Sequence, residues 1–416
     1  MSTNKNILFI GMVWPESNSS AAGTRIIQLI KEFHEQGYRV TFASSAMVSE
    51  FTSDLKSLNV ICHPIELNNA SFDIFIKEFQ PSIVVFDRFI SEEQYGWRVT
   101  EHCPDAIKIL DTEDLHCLRL ARQQAFKDNV EIDKSYLFGD IAKREIASIY
   151  RCDVSLIISK YELGLLLNEF KVPADLLFYL PFLLDKIEDN QINVLPLFEN
   201  RNHFISIGNF LHEPNWNAVL YLKEKILPLI KYKLPDAELH IYGAYPTQKV
   251  FQLHNIKQGF IIKGRAEKAH EVMQKTKVCL APLQFGAGLK GKLIDAMQCG
   301  TPNVTTTIGS EGMNELGKWS GFLGDDADNI ADRAIELYTN KELWLLSQSQ
   351  GFDIINQVFN KDIYVNAFND KINFLINHID EHRLNNFTGS MLNHHTMQST
   401  KYLSRWIELK NTKAEN

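Results

Sequence analysis

The sequence lacks the paired cysteines that mark a metal ribbon or a dithiol redox site. Its six cysteines, at positions 62, 103, 117, 152, 279 and 299, stand far apart and no C-x-x-C occurs, which argues against structural zinc and against a disulfide framework. Free thiols in a chain of this size fit a reducing cytoplasm. Long apolar runs are missing too, with nothing near the roughly 18 residues that a membrane-spanning helix needs. The apolar start, Asn6 to Val13, is too short for a secretory leader and ends at Trp14-Pro15-Glu16. Excess positive charge is absent. A net charge of -8 argues against a generic nucleic-acid binder, although a local basic cleft would survive it. No repeat and no low-complexity tract breaks the chain.

What is there is ordinary in bulk. With 416 residues, 45% hydrophobic and 23% charged, the chain is too long for one core, and two domains of a soluble globular protein are expected. Apolar strand-like runs alternate with helical spacing throughout, the pattern of a parallel α/β sheet. Strands are expected at Asn6–Val13, Arg39–Ala43, Asn59–Cys62, Ile83–Phe86, Ile107–Leu110 and Val154–Ser159, with a buried strand or interfacial patch at Leu176–Leu184. Helices are expected at Thr24–Gln36, Phe72–Phe79 and Glu92–His102, and Arg119–Tyr150 reads as one long polar helical region. After a linker over Leu184–Asn202, strands recur at His203–Gly208, Glu238–Gly243, Phe260–Gly264, Lys277–Ala281 and Asn303–Thr307. Helices there are Pro214–Lys231, Leu289–Gln298 and Ala327–Tyr338, with Asn340 to about His382 also helical. The remaining tail is polar, with one apolar segment at Tyr402–Ile407. The expected fold class is therefore α/β, two tandem Rossmann-like domains facing across a cleft. The first spans 1–190 and the second 200–360, with 361–416 a helical segment and tail. Such clefts are standard ligand sites.

The most informative stretch is Pro282 to Pro302, which reads as glycine loop and helix between two strands. Gly286, Gly288 and Gly291 allow a tight turn with outward backbone N–H groups. A helix opening from such a loop attracts phosphate, because its free N–H groups and its dipole point the same way. Lys290 and Lys292 add positive charge. We read the loop as distinct from both the dinucleotide fingerprint and the G-x-x-x-x-G-K-[ST] pattern. Its structural alternative is a plain turn, with Lys292 and Asp295 a surface pair. Asp326-Ala-Asp328 spells D-x-D, but ahead of a helix it reads as an N-cap, and no metal is expected.

The second half resembles the donor-binding domain of GT-B glycosyltransferases, most closely family 4. The resemblance rests on Gly208-Asn-Phe with Pro214-Asn215, Pro235 to Gly243, Ile262-Lys-Gly-Arg265, Ala281 to Lys292, Asp295-Ala-Met297 with Gly300-Thr-Pro302, and Thr306 to Gly312, in the family's order. The first half matches only in architecture and in the Ala22-Gly23-Thr24-Arg25 loop.

The resemblance implies retaining transfer of a sugar from a nucleotide-sugar donor, UDP- or GDP-linked, to an acceptor that is a glycan, a lipid-linked molecule or a protein. No further cofactor and no metal are implied. It implies that Lys290 and Arg265 stabilise the departing diphosphate. Asn209, Gly286, Ala287, Gly288, Leu289, Lys292, Asp295 and Glu311 join them as donor contacts, Asp295 at the ribose and Glu311 orienting the sugar or capping a helix. The glutamate that the family places ahead of Asp295 is not present here. In the first domain Gly23 and Arg25 are expected to reach the diphosphate from the opposite side, with an ordinary surface arginine as the alternative for Arg25. His116 is expected near the anomeric carbon and Asp114 at the acceptor hydroxyl. Structural roles remain open for both His116 and the neighbouring Asp111 and Glu113. A cytoplasmic location follows, with peripheral contact at the inner face of a membrane left open. The competing readings are a nucleotide-sugar-binding protein without transfer activity and a GT-B-like epimerase. A dehydrogenase is disfavoured because Gly11 is followed by Met-Val-Trp-Pro.

Overall fold

A computed structural model describes residues 5–414. The first sheet comprises β1 (Asn6–Gly11), β2 (Arg39–Ser44), β3 (Ile61–Pro64), β4 (Ile83–Asp87), β5 (Ile107–Asp111), β6 (Val154–Ile157) and β7 (Leu177–Tyr179), in the order β3-β2-β1-β4-β5-β6-β7. The second comprises β8 (Asn202–Ile207), β9 (Leu239–Tyr242), β10 (Phe260–Gly264), β11 (Thr276–Ala281), β12 (Asn303–Thr305) and β13 (Gly321–Leu323), in the order β10-β9-β8-β11-β12-β13. All the pairings are parallel. Helices cover both faces of each sheet, so central strands such as β1 and β4 carry near-continuous apolar runs rather than alternating ones. Ile7, Leu8, Phe9 and Ile10 are all fully buried. The strand order reverses between β1 and β4 and again between β8 and β11, and ligands sit above such points.

Several boundaries differ from expectation for local reasons. The first helix starts at Ala21, not Thr24, because the Ser20 side chain accepts from the Gly23 N–H at 3.0 Å. The helix expected from Glu92 starts at Arg88, directly off β4. The region Arg119–Tyr150 is three helices, His116–Asp128, Lys134–Leu137 and Asp140–Arg151, broken where left-handed Asn129 ends the first and Asp133 caps the second. Of Leu176–Leu184 only Leu177–Tyr179 is strand. The Lys160–Asn168 helix and β13 went unforeseen. Asp326 caps the Ala327–Thr339 helix, accepting from Asn329 N–H at 2.8 Å.

The largest departure is the C-terminus. The expected polar tail is a helix, Phe387–Ala414, that follows another at Val365–Asn385. Both pack on the first domain. The chain crosses back where Leu184 N–H donates to Phe359 O at 2.9 Å and Lys361 N–H to Leu184 O at 2.8 Å. Phe368, Ile372 and Leu375 then complete the first domain's core, with the Phe368 ring 5.6 Å from Phe33, edge to face. Phe368→Ala should therefore destabilise the first domain by about 3–5 kcal/mol, as for other buried aromatics cut to alanine. Denaturant unfolding measures it, and a loss below about 1 kcal/mol would contradict this placement.

Candidate functional site

A cleft of about 1250 Å³ runs between the two domains. Its walls are the segments that follow β1, β4 and β5 on one side and β8, β9, β10 and β11 on the other. The first helix, the 182–195 segment and Lys361 add to the lining.

The floor is the glycine loop after β11. Gly286 has φ +154 and Gly288 φ +63. A Cβ on Gly288 would lie 2.8 Å from Asp114 Cβ and one on Gly291 2.7 Å from Ala21 Cβ, both across the cleft. These glycines are small because the other domain lies against them. Gly286, Gly288 and Gly291 do stand at G-x-G-x-x-G spacing, which corrects the reading that set the loop apart from the dinucleotide fingerprint. The contact across the cleft supplies a separate reason for the second and third glycines.

The first domain also holds the loop by hydrogen bonds. Gly288 N–H donates to Glu162 Oε1 at 2.8 Å, and the same oxygen accepts from Leu115 N–H at 3.0 Å. Arg122 donates to Gly286 O at 2.9 Å and pairs with Glu311 at 2.7 Å. Burial pushes the Glu162 carboxyl up to about 8.

Lys290 is buried beside this junction and donates to Gly288 O at 2.8 Å. Burial lowers its ammonium to about 8, against the pull of Glu311 and Glu162. Lys292 does not pair with Asp295. It donates to Asn215 Oδ1 at 2.6 Å, and burial lowers it to about 8 as well. Asp295 instead lies 3.3 Å from His270 Nε2, and that bond raises the imidazole to about 10. Arg265 borders the cleft with its guanidinium 4.3 Å above the Phe51 ring. Its buried Nε has no partner among the described residues. Asn209, Ala287 and Leu289 also line the cleft, Asn209 with its side-chain oxygen turned to Leu211 N–H at 2.8 Å.

On the opposite wall, His116 opens a helix and its ring meets Phe89 edge to face. Burial lowers the imidazole to about 4, so it is neutral at physiological pH. Its Nε2 lies 3.3 Å from Asp114 Oδ1. Burial alone would raise Asp114, but Arg119 at 2.7 Å and His116 outweigh it and hold the carboxyl at about 2.

Three expected contacts lie elsewhere. Gly23 packs on the Glu16 backbone, where a Cβ would meet it at 2.5 Å, and does not line the cleft. Arg25 is neither a cleft residue nor a surface arginine. It is 1% exposed, pairs with Asp111 at 2.8 Å and donates to Leu180 O at 2.7 Å, because it sits on the helix face that packs on the sheet. Asp111 is correspondingly a buried counter-ion and not a helix cap. Glu311 follows a short helix that Thr306 caps, and its carboxylate is engaged by Arg122. The residues that sequence reasoning missed are Arg88, Glu162 and Arg122, and Glu113, left open there as a structural residue, joins them in the site. Glu113 and Arg88 line the cleft in left-handed backbone, φ +62 and +68, and such strain concentrates at functional sites. Buried Glu113 has an unpartnered Oε1 among the described residues, and burial with the Asp111 charge pushes its carboxyl up. The available signal was position, since each of Arg88, Glu113 and Glu162 falls within a few residues of a strand's carboxyl end.

Residues 201–340 match the model of a family described as glycosyl transferases group 1. The whole fold is that of GT-B proteins. It is similar to TarM from S. aureus, in a mutant complexed with UDP, at TM-score 0.68 and 11% identity, covering 89% of this chain and 99% of that one. It is also similar to sucrose-phosphate synthase of Thermosynechococcus elongatus, at 0.65 and 14%, covering 89% and 99%. HepE of Anabaena, in complex with UDP and glucose, aligns at 0.65 and 12%, covering 88% and 99%. In sequence, an uncharacterized protein of the cps region of Klebsiella pneumoniae is 27% identical over 197 residues, 44% of this chain, and the match spans 48% of that relative's length.

The Glu162 bridge generates a test of sign. A carboxyl raised to about 8 contributes stability below its unfolded value, near 4.3, and loses it as pH rises through about 8. Glu162→Gln keeps the accepting oxygen without the titration. The variant should match the parent near pH 5 and exceed it in melting temperature by pH 9, with the gap growing between. A constant gap would contradict the buried, protonated state.

Proposed function

We propose that the protein is a glycosyltransferase that moves a sugar from a nucleoside-diphosphate donor to an acceptor hydroxyl, with retention at the anomeric carbon. The observation that carries the reading is the glycine loop with its helix N-terminus, Lys290 and Lys292, set into the floor of a cleft between two carboxyl-end walls. The family match to residues 201–340 and the GT-B fold support it. The neighbours solved with UDP make a uridine nucleotide the first donor to try.

In this reading the bond from the anomeric carbon to the β-phosphate oxygen breaks and the acceptor oxygen bonds that carbon. The acceptor proton passes to the departing phosphate. The negative charge that collects on the diphosphate is met by Lys290, Arg265 and the helix N-terminus, cationic groups already in place where charge develops. Asp295, oriented by His270, takes the ribose hydroxyls. His116, as a neutral imidazole, exchanges hydrogen bonds with a sugar hydroxyl and positions the anomeric carbon. Asp114, at about 2, is too weak a base to take a proton, and its role is to bind the acceptor with Arg119. Glu113, with its free carboxyl oxygen, is the second acceptor contact.

Two variants separate the walls. Lys290→Ala should lower turnover at least about a hundredfold, the worth of one charge-stabilising donor. His116→Ala should lower transfer comparably while calorimetric affinity for the nucleoside diphosphate stays within about threefold, because the nucleotide is held by the other wall. A near-parental rate in Lys290→Ala would sink the loop's role. Joint loss of affinity and melting temperature in His116→Ala would make that residue structural.

A further inference from the structure

Three metal-ligating side chains converge at the edge of the second sheet that faces away from the cleft. His203 is the second residue of β8, Glu238 stands directly before β9, and His240 is the second residue of β9. The two strands are parallel neighbours, with Ile205 opposite His240. All three residues therefore sit at amino ends, whereas the carboxyl ends face the cleft. None of the three borders it. His240 Nε2 lies 2.8 Å and His203 Nδ1 3.5 Å from the same oxygen, Glu238 Oε2. The two imidazole rings stack with centroids 4.2 Å apart. One ligand atom from each residue falls within 4.8 Å of the other two. The cluster is half-buried, with the His203 and Glu238 side chains 42% and 41% exposed and that of His240 15%, so an ion can enter from solvent.

The donor set and its spacing select the ion. Around a tetrahedral zinc with bonds near 2.0–2.1 Å, neighbouring ligand atoms stand roughly 3.3 Å apart. The two separations at Glu238 Oε2 bracket that value, so small side-chain rotations bring all three donors onto one ion. Two imidazole nitrogens and one carboxylate suit zinc, copper or nickel, whereas magnesium and calcium take sets of oxygen ligands. Three protein ligands leave a fourth position for water. Lys263 on β10 adds positive charge nearby, but it is exposed and forms no ion pair with Glu238 among the described residues. We infer that His203, Glu238 and His240 form a site for a divalent ion of the zinc class, held by His203 Nδ1, His240 Nε2 and a Glu238 carboxylate oxygen. The ion fastens the amino ends of β8 and β9 to each other. The site uses none of the six cysteines. It goes beyond the transfer reading and stands without it.

The test is calorimetric titration of the untagged full chain, stripped with chelator and dialysed, against zinc and separately against magnesium. One zinc should bind per chain and raise the melting temperature, and magnesium should do neither. His203 has φ +62, a left-handed backbone that asparagine adopts readily, so His203→Asn removes the ligand with little strain. It should weaken zinc binding at least about tenfold and abolish the zinc-dependent rise, while the metal-free melting temperature stays parental. Glu238→Gln should do the same from the other strand, so the result does not rest on one substitution. No saturable zinc binding at submillimolar zinc, equal binding of magnesium, or unchanged zinc affinity in either folded variant would overturn the proposal. The last result would place the ion on other groups, such as exposed Cys62 beside His63. Nucleotide affinity, measured alongside, reports separately on the cleft.

Discussion

Two α/β domains meet here through bare backbone. Gly288 lies against Asp114 and Gly291 against Ala21, at distances where a Cβ would fall within 3 Å of the opposite domain. That approach places the glycine loop, its helix N-terminus and Lys290 directly opposite the strand-end loops of the first domain. One carboxylate oxygen of Glu162 then accepts N–H groups from both sides, Leu115 and Gly288. The cleft is therefore a property of the junction and belongs to neither domain alone. The crossing at Leu184 and Asn360, with Phe368 and its neighbours packed back into the first core, ties the domains a second time.

The junction sets protonation as well as geometry. Burial disfavours charge on Lys290, Glu162, Glu113 and His116 alike, whereas Asp114 stays ionised because Arg119 faces it. An anionic ligand at the loop would favour charged Lys290, against the burial that lowers its ammonium. This is the electrostatic form of binding energy directed at one place in the cleft.

Much of this was legible in the residues. The alternation of apolar runs and helical spacing located most strands, because strands buried on both faces are dominated by apolar residues, with only single polar positions such as Lys108 and Ser155 between them. The loop at Gly286–Gly291 announced itself by composition. What failed had physical causes. Arg25 looks like a cleft cation in sequence, and only the fold reveals Asp111 waiting beneath it. Gly23 looked like a phosphate contact and is a packing glycine. Glu162 and Arg122 act from helices with no motif of their own. The terminal helix was misread as a tail because its polar face is the one turned inward, with Arg405 paired to Asp73 at 2.7 Å, so its pattern lacks the usual apolar stripe toward the core.

The central claim is that the junction forms a nucleoside-diphosphate site at the glycine loop. Its most direct measurement is the shift in melting temperature with UDP, GDP, UMP, uridine and NAD at matched concentrations. The account predicts stabilisation by a nucleoside diphosphate, about 2.7 kcal/mol at a hundred times its Kd, with progressively less from the monophosphate and the nucleoside. Stabilisation by NAD alone, or by none of them at millimolar concentration, would contradict it.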